Sequence, residues 1–423
     1  MKTTARIKKN YHLIKFQKLV IVSILIGFLS AFLGISLKKM TEHYEEIFFH
    51  QANVNPYFYI LFPVFGLSVI YFLREYLFKK KENKGIKEVF ESTNSKTKHL
   101  PSYKIPSHTI NGLLTVIFGG STGIEVSTVV ATATIGSVAH QKENIFRKYK
   151  TELICAGVAA GITALFSSPI AGILFAIEVI SRKISRAFII SNLIAVSIAF
   201  GLLTLLKEEP LFSVNIATWH FKAIPYFILL GILAGINSVY LTKCVLFFKS
   251  KFAKIETHYY KIILGSFILS ISLFIFPQLY GEGYHAIKTI INSNEIPLTL
   301  TLGFSFIGIL LLKPIVASIT LASGGDGGVF APSLFIGAFL GALVASVLNT
   351  FFDTQIIPVN FMIIGMAAVL SASIHAPLTA IFLVYGLTNN YTLFFPILAA
   401  CFISKYTAKK IYPNTVYTFV PNI

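Results

Sequence analysis

The chain has 423 residues, 55% of them apolar and 13% charged, and its mean hydropathy is +0.72. A water-soluble domain carries roughly 25% charged residues, so this composition excludes a globular enzyme with an anchor and indicates a polytopic membrane protein. The net charge of +18 does not point to nucleic acid, because the lysines lie in gaps between apolar runs rather than on one soluble face.

In chain order, residues 1–18 form a basic N-terminal segment with Lys2, Arg6, Lys8, Lys9, Lys15 and Lys18 and no acid. By the positive-inside rule this segment is expected in the cytoplasm. The apolar run LVIVSILIGFLSAFLGISL, 19–37, is too long for a signal-peptide core and lacks a small-residue cleavage site, so it is read as a retained span. Glu42, Glu45 and Glu46 follow it, with Lys38 and Lys39 beside them. The run 56–73 then returns to Arg74, Lys79, Lys80, Lys81, Lys84 and Lys87, a loop also expected in the cytoplasm. Further spans or part-spans are predicted near 109–140, 151–166, 169–181, 187–206, 224–247, 260–276, 297–316, 328–350, 357–371, 377–387 and 392–408. Alternating strands of barrel type are absent, so the spans are expected to be helices. Cys155, Cys244 and Cys401 show neither metal-ligand spacing nor a disulfide framework.

Several of these segments are shorter than a full crossing, which in two matching halves marks a transport site inside the membrane. GVAAGITALFSSPIAGI, 157–173, lies over GMAAVLSASIHAPLTAI, 365–381. Upstream, GSTGIEVST, 120–128, lies over GDGGVFAPS, 325–333, and the two blocks are 34 and 37 residues apart. This reads as an internal repeat of inverted topology, with a first membrane repeat at 19–206, a linker at 207–221 and a second repeat at 222–423. The repeat pairs Glu125 with Phe330. Each follows a glycine cluster and opens a small-residue helix, whose first turn leaves N–H groups unpaired at the positive end of its dipole. Two such ends facing each other make an anion site without a formal cation, weak enough to release what it binds.

At these residues the chain resembles the CLC family of chloride channels and chloride/proton exchangers, as a divergent prokaryotic-type member. SGGDGGVFAPSLFIGAFLG, 323–341, is similar to the family's G-x-F-x-P motif and its flanks. GIEVST, 123–128, falls where the family has G-x-E-G-P, and NKGIKE, 83–88, where it has G-S-G-I-P-E. SSPIAGILFAIEV, 167–179, HAPLTAIFLVYGLTNNY, 375–391, and TVYT, 415–418, also resemble the family. The similarity runs from about residue 20 to the end, leaving no tail for cytoplasmic regulatory domains. The resemblance implies an all-α membrane fold and makes Glu125 the gating carboxylate that competes with the permeant anion. It assigns anion contacts to Lys84, Gly85 and Ile86, to Ile124 and Val126, to Gly328, Val329 and Phe330 through backbone N–H groups, and to the hydroxyl of Tyr417. It also implies a homodimer with one path per subunit.

The departures are specific. The serine of the first motif is Lys84 and its proline Lys87. In the second motif Arg is Ile124, Gly is Val126 and Pro is Ser127, whose hydroxyl is expected to cap the helix instead. Val179 stands where exchangers of the family commonly carry a second acid that passes protons from the cytoplasm. Channel-like conduction of a small anion, most readily chloride, is therefore favoured. The alternative is a chloride/proton antiporter, and from another class a cation-coupled symporter. An intramembrane enzyme lacks a nucleophile–base or metal constellation here, and no cofactor or nucleic-acid partner is implied. Among the other charged groups, Glu178 is expected to pair with Arg182 four residues on, Lys313 to snorkel to an interface, Asp326 to serve its glycine turn, and His375 to be a buried hydrogen-bonded histidine.

Overall fold

Glycine and proline decide where helices break in this apolar chain, and the breaks place the site. The computed structural model describes residues 2–79, 83–142, 148–181, 183–212, 214, 216, 218–292 and 299–417; Lys80, Lys81, Arg182 and Thr418, named above, lie outside them. Among the described residues the chain is helical with no strand. In order come α1 (Lys2–Val54), α2 (Phe58–Phe72), α3 (Ile86–Asn94), α4 (Lys104–Ile117), α5 (Glu125–Lys142), α6 (Lys150–Phe166), α7 (Pro169–Phe175) and α8 (Arg186–Leu205). There follow α9 (Ile224–Ala253), α10 (His258–Ile275), α11 (Tyr284–Ile291), α12 (Leu300–Ala322), α13 (Phe330–Phe352), α14 (Pro358–Ile374), α15 (Pro377–Thr388) and α16 (Phe394–Ile411). The stretch expected as one segment at 109–140 is two helices, because the glycine turn between α4 and α5 ends one and starts the other.

Seven helices are long and apolar enough to cross a bilayer, among the described residues. Those at the periphery show large apolar side chains outward, such as Phe32 on α1, Phe65 on α2, Phe267 on α10 and Phe304 on α12, the surface that lipid covers. By contrast α13 is 89% buried over its span window, and α5, α6 and α14 are buried nearly all round. These four form the centre, α5 against α6 and α13 against α14. The molecule is an all-α polytopic membrane protein.

Matched elements begin and end at matched positions. Ser167 closes α6 and His375 closes α14 with the same left-handed backbone, φ 52° and 55°. Pro169 and Pro377 then open α7 and α15, proline being suited to a helix's first turn. The Ser168 hydroxyl caps α7 by accepting from the Ala171 N–H. His375 is thus first a helix terminator. Glu178 accepts from the N–H and hydroxyl of Thr379 at 2.8 and 2.7 Å and so caps α15; its expected partner Arg182 lies outside the described residues.

Candidate functional site at two convergent helix starts

The glycine turns of the two halves are built alike and lock onto each other. Gly119 and Gly324, with φ of 85° and 110°, each turn the chain in a conformation that side chains oppose. The next residues, Gly120 and Gly325, donate back to the carbonyls of Thr115 and Thr320. Each threonine hydroxyl donates within its own helix, to Asn111 O and Val316 O, and accepts from the opposite turn: Ser121 N to Thr320 Oγ1 at 3.2 Å and Asp326 N to Thr115 Oγ1 at 2.9 Å. Gly123 and Gly328 then pair as an antiparallel bridge, Gly328 N donating to Gly123 O at 3.2 Å. The Thr122 hydroxyl completes the joint on Gly328 O at 2.7 Å. This exchange of equivalent bonds brings the starts of α5 and α13 together.

Glu125 is the first residue of α5 and only 2% exposed. Its side chain folds back over Gly123, where a Cβ would lie 2.0 Å from Oε2 and 2.7 Å from the Ala331 Cβ, so a side chain at 123 would displace the carboxylate from this place. Oε1 accepts from the Tyr284 hydroxyl at 2.8 Å. The carboxylate lies near the backbone amides of Glu125 and Ala331, and Oε2 has no hydrogen-bond partner among the described residues. The carboxylate therefore stands in the gap between the two helix starts, held there by one donor. The Tyr417 hydroxyl is buried beside the Val329 amide and has no hydrogen-bond partner among the described residues. Buried polar atoms are rarely left unsatisfied, and these two belong to residues close enough to interact.

A cleft leads to this gap from the end of the molecule that carries Lys84. Lys84, Gly85, Ile86, Val126, Gly328, Val329 and Tyr417 all line it, together with Lys87 and Lys249, which sequence reasoning did not place there. Lys84 is exposed at its rim. Val126 closes its floor: it packs against Gly85 and Gly328, so that a Cβ on Gly328 would lie 2.1 Å from its Cγ2. Phe330, wholly buried, packs edge-on against Phe175. Glu88 holds the first turn of α3 to α4 through Lys104 at 2.6 Å and His108 at 3.5 Å. Burial pushes its carboxyl up, but His108 and Lys104 outweigh that and hold it below the usual carboxylate range.

Some expectations need correction. Ser127 is inside α5 rather than at its cap, and its hydroxyl has no partner. The Ile124 N–H is occupied, donating to Glu282 Oε1 at 2.9 Å. Asp326 does more than serve its turn: buried, it binds Arg74 Nη2 and Asn83 Nδ2, each at 2.7 Å. Lys313 does not snorkel but is wholly buried, its ammonium donating to Gly281 O at 3.1 Å above the Phe335 ring. Val179 lies in the π-helical turn 176–180, half-buried against apolar neighbours. Tyr284 and Glu282 were missed altogether, although LYGEGYH sets an acid between glycines just as the Glu125 segment does, and Glu45 was read only as one of the acids after the first span.

Comparison with known proteins agrees with this geometry. At 27% identity over 310 residues, 72% of each chain, it is similar to the voltage-gated ClC-type chloride channel ClcB of Escherichia coli O17:K52:H18 (strain UMN026 / ExPEC). A putative ClcB-like chloride channel protein of Ralstonia nicotianae is 25% identical over 369 residues, 85% of this chain and 84% of that one. The fold is that of a slow cyanobacterial Cl-/H+ antiporter, with a TM-score of 0.81 and 24% identity over 95% of this chain and 96% of the other. A CLC-type fluoride/proton antiporter superposes with a TM-score of 0.80 at 23% identity, covering 95% and 97%. The family model described as voltage gated chloride channel matches residues 65–409, and the chain belongs to that CLC family.

Proposed function

We propose that this protein carries small anions, chloride foremost, across the membrane through the gap between the starts of α5 and α13, with Glu125 as the gate. The observation that carries this reading is the Glu125 carboxylate standing where an anion would sit, among the amides of two helix starts and beside an unpartnered tyrosine hydroxyl. A carboxylate in that place is itself the competitor of a permeant anion. When it is neutralised or displaced, the amide ends of α5 and α13 and the hydroxyl of Tyr417 are left to hold chloride. The relatives named above as chloride channels support an anion as cargo. On this reading the protein is a transporter rather than an enzyme.

Conduction is read as channel-like, because Val179 offers no carboxylate for a proton route from the Lys84 end. A chloride/proton antiporter is the second reading, favoured by the solved neighbours of like fold, whose titles describe antiporters. The halves 19–206 and 222–423 are read as inverted repeats, supported by the reciprocal bonds of Thr115 and Thr320. The lysine-rich end is assigned to the cytoplasm of a cell-membrane protein, and the assembly to a homodimer with one path per subunit. Reconstituted in liposomes with a pH gradient imposed and no chloride gradient, the protein is expected to drive no chloride uphill. Uphill chloride movement sinks the channel reading in favour of exchange, and absence of any anion flux sinks both.

A further inference from the structure

On the side of the gate away from the basic cleft, a group of buried charges has no part in the path described above. The segment between α10 and α11 is strapped to the first glycine turn: Ser121 Oγ donates to Leu279 O at 2.7 Å and Tyr280 Oη to Ile117 O at 2.6 Å. This strap carries Glu282, 4% exposed, whose Oε1 accepts the Ile124 N–H next to the gate. The Glu282 N–H in turn donates to Oε1 of Glu45 at 3.0 Å. Glu45 lies on α1 beside the exposed Glu46 and is itself partly exposed. Burial thus deepens from Glu45 to Glu282 to Glu125, from solvent to gate. Lys313 sits under the strap, close enough to act on all three acids.

A buried charge in a membrane protein is costly and marks function by default, and three carboxylates near one ammonium leave negative charge in excess, which proton uptake reduces. We propose that Glu282, fed from Glu45, is the proton-exchange partner of the gate, and that it sets the protonation of Glu125 from the face of the protein opposite the basic cleft. The proton arrives from water on Glu45, moves to Glu282, and leaves the Glu282 carboxyl as an O–H bond forms on Glu125. Glu282 becomes anionic as Glu125 becomes neutral, and net charge is conserved within the cluster. Neutral Glu125 then loses its hold on the amide ends and gives way to the anion; Tyr284, donating to Oε1, steadies the closed form. The titratable groups that face this path are Glu42, Glu45, Tyr280, Tyr284, Lys313 and Tyr417. The route explains how a gate with Val179 on its other side reaches a proton source.

The inference rests on Glu125 being the gate, and the test separates the two. Chloride efflux from proteoliposomes is measured while the pH is stepped on one face at a time, for wild type, Glu125→Gln, Glu282→Gln and Glu45→Gln. Glutamine keeps an acceptor for the Ile124 N–H, so the turn is preserved, and Glu282→Asp restores a carboxylate. The expected result is that Glu282→Gln shifts the response to pH on the Glu45 face by at least about one pH unit, a tenfold change in flux at fixed pH, while the response to pH on the basic face is unchanged. Glu45→Gln is expected to act the same way more weakly, Glu282→Asp to recover the response, and Glu125→Gln combined with Glu282→Gln to match Glu125→Gln alone. A wild-type pH profile in Glu282→Gln, with Glu125→Gln flattened, overturns the relay and leaves the gate standing. A wild-type profile in Glu125→Gln removes the gate itself.

Discussion

The two glycine turns share a backbone but are anchored in opposite ways. The first, ahead of α5, is held by acids: Glu282 takes the Ile124 N–H and Glu45 takes the Glu282 N–H. The second, ahead of α13, contributes the acid itself, and Asp326 is held by Arg74 and Asn83. The first helix then opens with a carboxylate and the second with a buried phenyl ring. On the proposed function, equivalent helix starts become a regulated side, facing a group of carboxylates, and a fixed side, facing a basic cleft. A repeat supplies two anion-attracting amide ends, and divergence at a few positions divides the labour between them.

Breaking the anchor of the fixed side has the largest expected effect on the molecule. Asp326→Ala leaves Arg74 facing an apolar loop and frees the second turn, with an expected loss of about 3 kcal/mol, the usual scale for removing one member of a buried ion pair. Thermal unfolding in detergent reads this as a large drop in Tm, and an unchanged Tm means that the pair does not fix the turn. Next, Tyr417→Phe removes from the gap the side-chain donor that Glu125 does not engage. Chloride binding by calorimetry is expected to weaken roughly tenfold, about 1.5 kcal/mol for a hydrogen bond to a charged partner, with no change in Tm.

Smaller effects test how the path narrows. Val126→Gly opens the contact with Gly85 and Gly328 at the cost of roughly 0.5 kcal/mol of helix propensity, and chloride flux is expected to rise severalfold. Flux unchanged or lowered means that Val126 is wall rather than constriction. The smallest effect is at the rim. Lys84→Gln is expected to lower flux by no more than about twofold at low ionic strength and not at all in high salt, because an exposed lysine acts by steering that salt screens.

How far the sequence reaches is clear from particular residues. Periodicity and punctuation place the starts of α5 and α13, because a glycine cluster before a small-residue run has a local cause, and the predicted part-spans from 151 onward fall on α6 to α16 with the exception of α11. The interruption within 109–140 is legible only once the glycines are read as a break. Lys313 fails because snorkelling depends on where a helix sits: the same lysine reaches an interface on a peripheral helix and is trapped under a strap here. Asp326 was given a purely local role, whereas Arg74, which holds it, lies 252 residues away, and Glu178 also reaches Thr379, 201 residues away. Glu45, Glu282 and Glu125 converge from three distant segments, and no spacing rule joins them. Glu282 alone had a signal, its place between glycines.

The central claim is that the Glu125 carboxylate is the charge that closes the path. Chloride efflux from proteoliposomes, followed as pH is lowered across the range in which carboxylates titrate, tests it most directly in wild type against Glu125→Gln. Wild-type flux is predicted to rise with falling pH by up to about tenfold per unit, and the variant to be open and indifferent to pH. A variant that keeps the wild-type pH dependence contradicts the account.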